Sequence, residues 1–318
     1  MELGTNKIFL GLMTWKLGHG HLEKTIDSIL NQSYSNFTLY IYDDCSPIDP
    51  TEDILKIISR DKRVNFHRGT KRLGYSGASQ FVLDQAPSNT TFFAWVSDHD
   101  LYHPHWLESL INCLEKEIQS VVAYPLVTGI DGLGNPNNRK PTVYQNSDED
   151  IFQRINSFLS LQSGAGNIIW GLFRYSSLIK VGGWPKIAVP DIILLARLSI
   201  LGSISQVPET LYIRRDQDER SSAHSQEGMI ARQFNSIFPE KKPIRAYIEH
   251  RIFNSFYLLY TEPLKAVFKK DMSFGLSFFL WRRYNAYLLK ALINEIPKRI
   301  FFNRFTRRLI EYISFKRK

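Results

Sequence analysis

The feature that most constrains the fold is an alternation of short apolar runs with amphipathic segments over the first hundred residues. The predicted strands, most of them apolar runs, occupy residues 7–13, 37–42, 64–67 and 91–96. Between them apolar residues recur at helical spacing, as in the segment 22–30. Uniformly apolar strands separated by helices are typical of a mostly parallel sheet that is covered on both faces. The sequence therefore predicts an α/β domain with a mostly parallel central sheet.

Two of these runs end abruptly in acidic residues. Asp43 and Asp44 follow the second run, and the triplet Asp98-His99-Asp100 follows the fourth. In open α/β sheets, ligands bind at the carboxyl ends of the strands. We therefore expect both acidic clusters to line one ligand site.

The spacing of Asp98 and Asp100 suits a metal ion. A tight turn at a strand end can bring two carboxylates at i and i+2 together, and such oxygen ligands favour Mg²⁺ or Mn²⁺ held jointly with a substrate diphosphate. An Asp-x-Asp pattern is also common in solvated acidic turns. Its place after a buried strand and before the helical stripe that begins at Trp106 favours the metal site.

The first acidic cluster has two interpretations. A carboxylate of Asp43 or Asp44 could accept a hydrogen bond from the N3–H of a uracil or thymine ring. The alternative is an Asx-type turn that caps the next helix. The residues alone leave both open.

Composition narrows the class of protein. The chain has 318 residues, of which 43% are hydrophobic and 22% charged, so it is expected to be globular rather than disordered. Its two cysteines, Cys45 and Cys113, form no zinc-binding pattern and suit a reduced cytoplasmic compartment. We see no signal-peptide pattern in residues 1–7 and no apolar run of about 18 residues that would predict a spanning helix.

The net charge of +9 is concentrated in the last quarter of the chain. Residues 241–318 hold 18 Lys and Arg against 5 Asp and Glu, together with 17 of the 42 aromatic residues. Such a segment can lie in an anionic membrane interface, on the inner face of the cell membrane, or can pack on the rest of the chain. No nucleic-acid-binding motif accompanies it, so nucleic acid is not an expected partner. Co-sedimentation with anionic liposomes separates the two remaining alternatives.

Several segments, taken in order and spacing, resemble the family 2 glycosyltransferases. Residues 28–34, 42–47 and 95–100, with Gly74 and Ala78, resemble the donor half of that family, and residues 181–184, 190–191 and 197–202 resemble its acceptor half. The resemblance covers roughly residues 7–215. It implies a GT-A-like, Rossmann-type nucleotide-binding catalytic domain at 1–225 and leaves a basic, aromatic-rich helical extension at 226–318.

The resemblance also implies roles for individual residues. The expected nucleotide-sugar contacts are Thr14, Asp44 with Asp43 as the near alternative, one of Arg68, Lys71 and Arg72, and Asp98, and the expected metal ligands are Asp98 and Asp100. Asp191 falls where the family has its general base, although the family usually shows Glu-Asp and this chain has Pro190-Asp191. The alternative for Asp191 is a helix N-cap.

Three further residues are candidates for the donor site. Trp184, beside two glycines, is interpreted either as an apolar platform for a sugar ring or as a core residue. Arg214 and Arg215 precede a polar segment, and are interpreted either as a clamp that closes over the diphosphate or as solvated charge.

These features together predict a metal-dependent, inverting glycosyltransferase. The favoured donor is a UDP- or dTDP-sugar, and the favoured acceptor is a glycan or lipid-linked hydroxyl in surface polysaccharide or glycolipid synthesis. One alternative is a catalytically degenerate module that binds a nucleotide sugar. Another is a sugar-phosphate nucleotidyltransferase, which needs a glycine-rich loop after the first strand; residues 15–20 hold only two glycines.

Overall fold

The computed structural model describes residues 6–16, 20–59, 61–139, 141, 143–146, 153–154, 157–158, 165–185 and 190–216. The remaining residues, including the whole of the expected extension at 226–318, lie outside the described part. Within the described residues, no helix is both long enough and apolar enough to cross a lipid bilayer.

The described residues form a sheet flanked by helices. The strands are β1 (Ile8–Thr14), β2 (Phe37–Asp43), β3 (Val64–Arg68), β4 (Phe92–Val96), β5 (Leu101–Tyr102), β6 (Ser120–Ile130), β7 (Leu172–Arg174) and β8 (Ser203–Arg215). The helices are α1 (Leu22–Leu30), α2 (Thr51–Ile58), α3 (Gly74–Asp84), α4 (Trp106–Lys116), α5 (Ala165–Ile168), α6 (Tyr175–Lys180) and α7 (Pro190–Leu201).

The strand order across the sheet is β3-β2-β1-β4-β7-β6-β8-β5. Strands β1 to β4 pair in parallel, and β6 pairs in parallel with β8. Strand β7 is antiparallel to both β4 and β6, and β5 is antiparallel to β8. The predicted α/β class with a mostly parallel sheet is confirmed.

Both faces of the central strands β1 and β4 are buried, which explains why these two strands are almost entirely apolar. On one face Leu10 and Leu12 of β1 pack in the same cluster as Ile26 of α1. On the other face Phe93 and Trp95 of β4 cluster with side chains of α3, α6 and α7. Side chains that alternate along a strand point to opposite faces, so each strand contributes to both layers.

The second half of the sheet is built around two long strands. Strands β6 and β8 pair with each other over most of their length. Helix α5 and strand β7 are separated by three residues, the last of which is Gly171. A Cβ at Gly171 would lie 2.4 Å from the Ala123 carbonyl oxygen, so glycine permits β7 to lie beside β6.

The topology brings the two acidic clusters to one edge. Strand β1 lies between β2 and β4 and runs parallel to both, with Thr14 opposite Asp43 and Leu12 opposite Val96. Neighbouring strands are about 4.8 Å apart, so the carboxyl ends of β2 and β4 are separated by about 10 Å. A diphosphate nucleotide can span that distance.

Candidate functional site

Asp43, the last residue of β2, holds the loop that follows it. Its side chain is fully buried and forms a short ion pair with the Arg68 guanidinium at the end of β3. The Ser46 hydroxyl and backbone N–H also donate to the Asp43 carboxylate. Arg68 further contacts Asp49 at 3.5 Å and the Ser46 carbonyl at 3.0 Å. Asp43 and Arg68 therefore stabilise one another and the loop at 43–49.

Asp44 connects the end of β2 to the start of α3. Its carboxylate accepts hydrogen bonds from the backbone N–H of Leu73 at 2.6 Å and of Gly74 at 2.9 Å. Burial raises the pKa of the Asp44 carboxyl, and the two N–H donors and Arg72 oppose that shift. Asp44 therefore stabilises the start of α3, whereas the Asx-type turn considered from the sequence would cap α2. Each carboxylate oxygen keeps a lone pair for another donor.

Thr14 presents an unsatisfied hydroxyl at the end of β1. The residue is 2% exposed, and its Oγ1 has no hydrogen-bond partner among the described residues. Its carbonyl oxygen accepts the Asp44 N–H at 2.9 Å, so the hydroxyl lies beside the first acidic cluster. Buried polar groups are almost always hydrogen-bonded, so this hydroxyl marks a position that a ligand can satisfy.

The three candidate cations before Gly74 differ in environment. Arg68 forms ion pairs with Asp43 and Asp49. Lys71 is exposed. Arg72 lies 3.9 Å over the Trp15 ring, and its buried Nε has no hydrogen-bond partner among the described residues. Trp15 was not singled out from the sequence, although an aromatic residue directly after a strand at the ligand edge is a usable signal. Of the three cations, Arg72 retains an unused donor beside Asp44.

The turn after β4 presents Asp98 and His99. The Asp98 Oδ1 lies 2.7 Å from His99 Nδ1, and the two side chains are 15% and 16% exposed. Within the described part of the chain, the second Asp98 oxygen makes no hydrogen bond. Asp98 therefore keeps an oxygen with open coordination capacity at the carboxyl end of β4.

Asp100 is buried and bonded on both oxygens. The Arg215 backbone N–H donates to Oδ1 at 2.6 Å, and the Tyr212 hydroxyl makes a short bond to Oδ2. The Thr25 hydroxyl donates to the Asp100 carbonyl oxygen at 2.8 Å. Burial, followed by the Asp100 charge, raises the pKa of Tyr212 well above its usual value, so Tyr212 remains a hydrogen-bond donor. The local sequence around Tyr212 does not predict its hydrogen bond to Asp100, which is 112 residues away.

Arg214 and Arg215 lie in different environments. Arg215 is 3% exposed, and its guanidinium donates to the carbonyl oxygens of His99 and Asp131. Arg215 is therefore not a solvated surface charge, which was one of its two interpretations from the sequence. Strand β8 places it beneath the turn after β4, where it is buried. Arg214 is part-exposed and contacts Asn167 at 3.4 Å and Asp216 at 4.0 Å.

Trp184 lies in the core. It is 4% exposed and packs edge-on against Trp95 and Tyr75, with ring centroids 4.7 and 5.3 Å away. Its backbone N–H donates to Gln80 at 2.7 Å. These contacts favour the core interpretation over the sugar platform. The residue lies outside both acidic clusters.

Asp191 occupies the first turn of α7, where Pro190 is the first helical residue. Proline is favoured at that position because its fixed φ suits a helix start and its missing N–H needs no partner. The negative charge of Asp191 is favourable there because it faces the positive end of the helix dipole. Pro190 is thus structurally compatible with a carboxylate at the helix start.

The chemistry of the turn fits a divalent cation. Asp98 has an open oxygen, and each Asp100 oxygen retains a second lone pair beyond its protein donor. Within the described ranges, no three His, Cys, Asp or Glu side chains form a ligand cluster. A cation at this turn would therefore take its remaining ligands from a substrate diphosphate and water, as Mg²⁺ commonly does.

The segment that carries both acidic clusters matches a known protein family. Residues 20–175 match the sequence model described as Glycosyl transferase family 2. Residues 20–175 belong to glycosyl transferase family 2. The predicted family is thereby confirmed, and the matched segment contains both acidic clusters of the family 2 domain.

One curated relative of the family 2 domain is an uncharacterized glycosyltransferase of Rickettsia typhi, which is 31% identical over 108 residues, or 34% of this chain and 32% of that protein. The matching segments span only 14% to 32% of the curated relatives' own length.

Two solved structures share the fold. Staphylococcus aureus TarS 1–349 in complex with UDP-GlcNAc aligns with a TM-score of 0.52 and 15% identity, covering 92% of this chain and 82% of TarS 1–349. The mannosyltransferase PcManGT of Pyrobaculum calidifontis, in complex with GDP-Man and Mn²⁺, aligns with a TM-score of 0.52 and 12% identity, covering 92% and 87%. At these identities the likeness establishes the GT-A fold alone.

Proposed function

We propose that the chain transfers a sugar from a nucleotide diphosphate donor to an acceptor hydroxyl. The observation that carries this proposal is that two acidic clusters lie at the same edge of the sheet, at the carboxyl ends of β2 and β4 on either side of β1. Carboxyl ends of parallel strands are where such sheets bind nucleotides. Family membership and the UDP-GlcNAc and GDP-Man complexes of the structural neighbours support the same donor class.

The nucleoside would bind at the first cluster. The Thr14 hydroxyl lacks a partner among the described residues, Asp44 retains acceptor capacity, and Arg72 has a buried donor atom unused. An acceptor for a ring N3–H and donors for ring carbonyls suit uracil or thymine, so a UDP- or dTDP-sugar is the favoured donor. Asp43 and Arg68 would shape this pocket through their ion pair, and Lys71 would reach the phosphates from the surface.

The diphosphate would lie at the second cluster. Asp98, with Asp100 behind it, would hold Mg²⁺ or Mn²⁺, and the complex of PcManGT with GDP-Man and Mn²⁺ supports the use of a divalent cation. When bound, the cation offsets negative charge on the departing diphosphate. Arg214 is part-exposed on β8 and would add positive charge near that group.

Asp191 would act as the general base. It accepts the proton of the acceptor hydroxyl while that oxygen forms a bond to the anomeric carbon, and the bond from that carbon to the diphosphate breaks. Attack opposite the leaving group inverts the anomeric centre. Trp184, packed on Trp95 in the core, would not serve as a stacked sugar platform.

The remaining parts of the proposal rest on composition. We assign the catalytic domain to residues 1–225 and an extension to 226–318, which lies outside the described residues. The basic and aromatic composition of 241–318 suits attachment to an anionic membrane, where a lipid-linked or glycan acceptor of surface polysaccharide or glycolipid synthesis would be met.

A second candidate is a module that binds a nucleotide sugar without turnover. Two observations favour it. Pro190 replaces the glutamate usual in the family, and both Asp100 oxygens are engaged by protein donors. A module of this kind would bind the donor and leave it intact.

A thermal-shift screen of nucleotides with and without Mn²⁺ tests the proposed function. We expect UDP or dTDP to raise the melting temperature of the full chain, and Mn²⁺ to increase that rise, because a ligand that binds only the folded state stabilises it. Mn²⁺ without nucleotide is the control. Stabilisation by UDP that is the same with and without the cation would remove the metal role of Asp98 and Asp100, and no stabilisation by any nucleotide would overturn the donor assignment.

A further inference from the structure

Strand β8 makes hydrogen bonds to the turn that carries Asp98. The proposed reaction assigns these hydrogen bonds no role. Two β8 residues make them, Tyr212 and Arg215. Both are at most 3% exposed, so solvent and substrate do not reach them directly. Tyr212 and Arg215 can therefore affect the site through their contacts with the turn.

Arg215 donates hydrogen bonds to the turn from both its backbone and its side chain. Its N–H donates to Asp100 Oδ1 at 2.6 Å, and its Nε donates to the His99 carbonyl oxygen at 3.0 Å. The same guanidinium reaches the Asp131 and Gly132 carbonyl oxygens at 3.3 and 3.4 Å. Arg215 therefore ties the turn after β4 to the turn after β6.

Two tyrosines complete the support. The Tyr212 hydroxyl donates to Asp100, and the Ser97 backbone N–H donates to the Tyr102 hydroxyl at 2.8 Å. The two tyrosine rings lie 5.4 Å apart, so they brace each other beneath the turn. The backbone of Ser97 and His99 and the side chain of Asp100 are thereby fixed, while the Asp98 carboxylate takes part in none of these contacts.

The energetics of burial make this support rigid. A guanidinium carries five N–H donors in a planar fork and stays charged, so its burial requires several acceptors in fixed places. The carbonyl oxygens of His99, Asp131 and Gly132 supply them here. Removal of the fork would leave these part-buried carbonyl oxygens without their donor, and the turn after β4 would lose a tie to β8.

We propose that Arg215 and Tyr212 are positioning residues that set the orientation of Asp98 toward the cation and diphosphate. This inference rests on the proposed function. It replaces the expectation that Arg215 closes over the diphosphate from outside. Groups that orient metal ligands from behind typically change metal affinity by roughly 10–100-fold when they are lost.

The test is a Mn²⁺ titration of UDP binding to the full chain, comparing Arg215→Lys with the wild type by calorimetry. Arg174→Lys is the matched control. The Arg174 guanidinium also binds backbone carbonyls, those of Ser120 and Leu114, but Arg174 lies opposite Phe92, at the other end of β4. Both substitutions keep the charge and remove the planar fork.

We expect Arg215→Lys to raise the Mn²⁺ concentration for half-maximal UDP binding by roughly 10–100-fold, with UDP affinity in EDTA unchanged and Arg174→Lys unaffected in both. Tyr212→Phe removes only the hydroxyl and should shift the Mn²⁺ requirement in the same direction; it decides the matter if Arg215→Lys does not fold. Wild-type Mn²⁺ dependence in both variants, or an equal shift in Arg174→Lys, would overturn the positioning role. A wild-type chain whose UDP binding needs no cation would overturn the proposed metal site and this inference with it.

Discussion

Replacing Asp191 with asparagine is expected to abolish sugar transfer almost completely and to leave donor binding unchanged. The amide has nearly the same shape as the carboxylate but cannot accept a proton from the acceptor hydroxyl. General-base catalysis by a positioned side chain contributes roughly 10²–10⁴-fold, so turnover should fall by that factor. The measurement is the rate of UDP release with acceptor present, together with the UDP-sugar dissociation constant.

Asp27→Asn is the control for this substitution, because Asp27 is an exposed residue of α1 and the chemical change is the same. It should retain wild-type turnover. If Asp191→Asn keeps the wild-type rate, Asp191 is only the helix-start residue that its place in α7 also permits. If the wild-type chain itself binds the donor and never turns it over with any acceptor, the non-catalytic module is the correct function.

Replacing Asp98 with asparagine is expected to remove the stimulation of UDP binding by Mn²⁺. The substitution deletes the charge of the one carboxylate at this turn that has an oxygen without a protein bond among the described residues. A cation that offsets the diphosphate charge is worth several kcal/mol, so turnover should fall by roughly 10²–10⁴-fold. Calorimetric titration of UDP with Mn²⁺ and with EDTA measures the binding part of this effect.

Asp84→Asn provides the comparison, since Asp84 is an exposed residue at the C-terminal end of α3 whose side chain accepts a hydrogen bond from Gln80 at 2.6 Å. It should bind UDP as the wild type does under both conditions. An Asp98→Asn variant that still gains UDP affinity from Mn²⁺ would show that the cation binds elsewhere.

The donor half of the fold follows directly from local sequence. Strands β1 and β4 are buried on both faces, so each reads as an apolar run. Helices such as α1 bury the stripe that the spacing of Leu22, Ile26 and Ile29 predicts. The two acidic clusters could also be assigned to one edge, since parallel strands share the edge at which their carboxyl ends lie.

The support beneath the site could not be predicted, because it depends on long-range pairing. Arg214-Arg215 reads as a charged pair before a polar segment, but Arg215 pairs with Ile130 across β6 and β8 and is buried by that pairing. Tyr212 reads as one of many aromatic residues. It reaches Asp100 only because β5 pairs with β8, with Tyr102 opposite Tyr212.

The same limit explains Trp184. A tryptophan beside two glycines suits either a binding platform or the core, and the distinction is made by Trp95 and Tyr75, which are distant in sequence. Gly182 and Gly183 both have positive φ values of 85° and 71°, which glycine adopts without strain. The glycines therefore direct the chain so that Trp184 turns into the second face of the core.

A crystal structure of the full chain grown with UDP and Mn²⁺ is the most direct test of one nucleotide held by the ends of both β2 and β4. We expect an anomalous manganese peak at coordination distance from Asp98, a diphosphate bound to the same ion, and the uracil ring within hydrogen-bond distance of Thr14 or Asp44. A nucleotide bound away from either strand end, or manganese remote from the Asp98 turn, would contradict that arrangement.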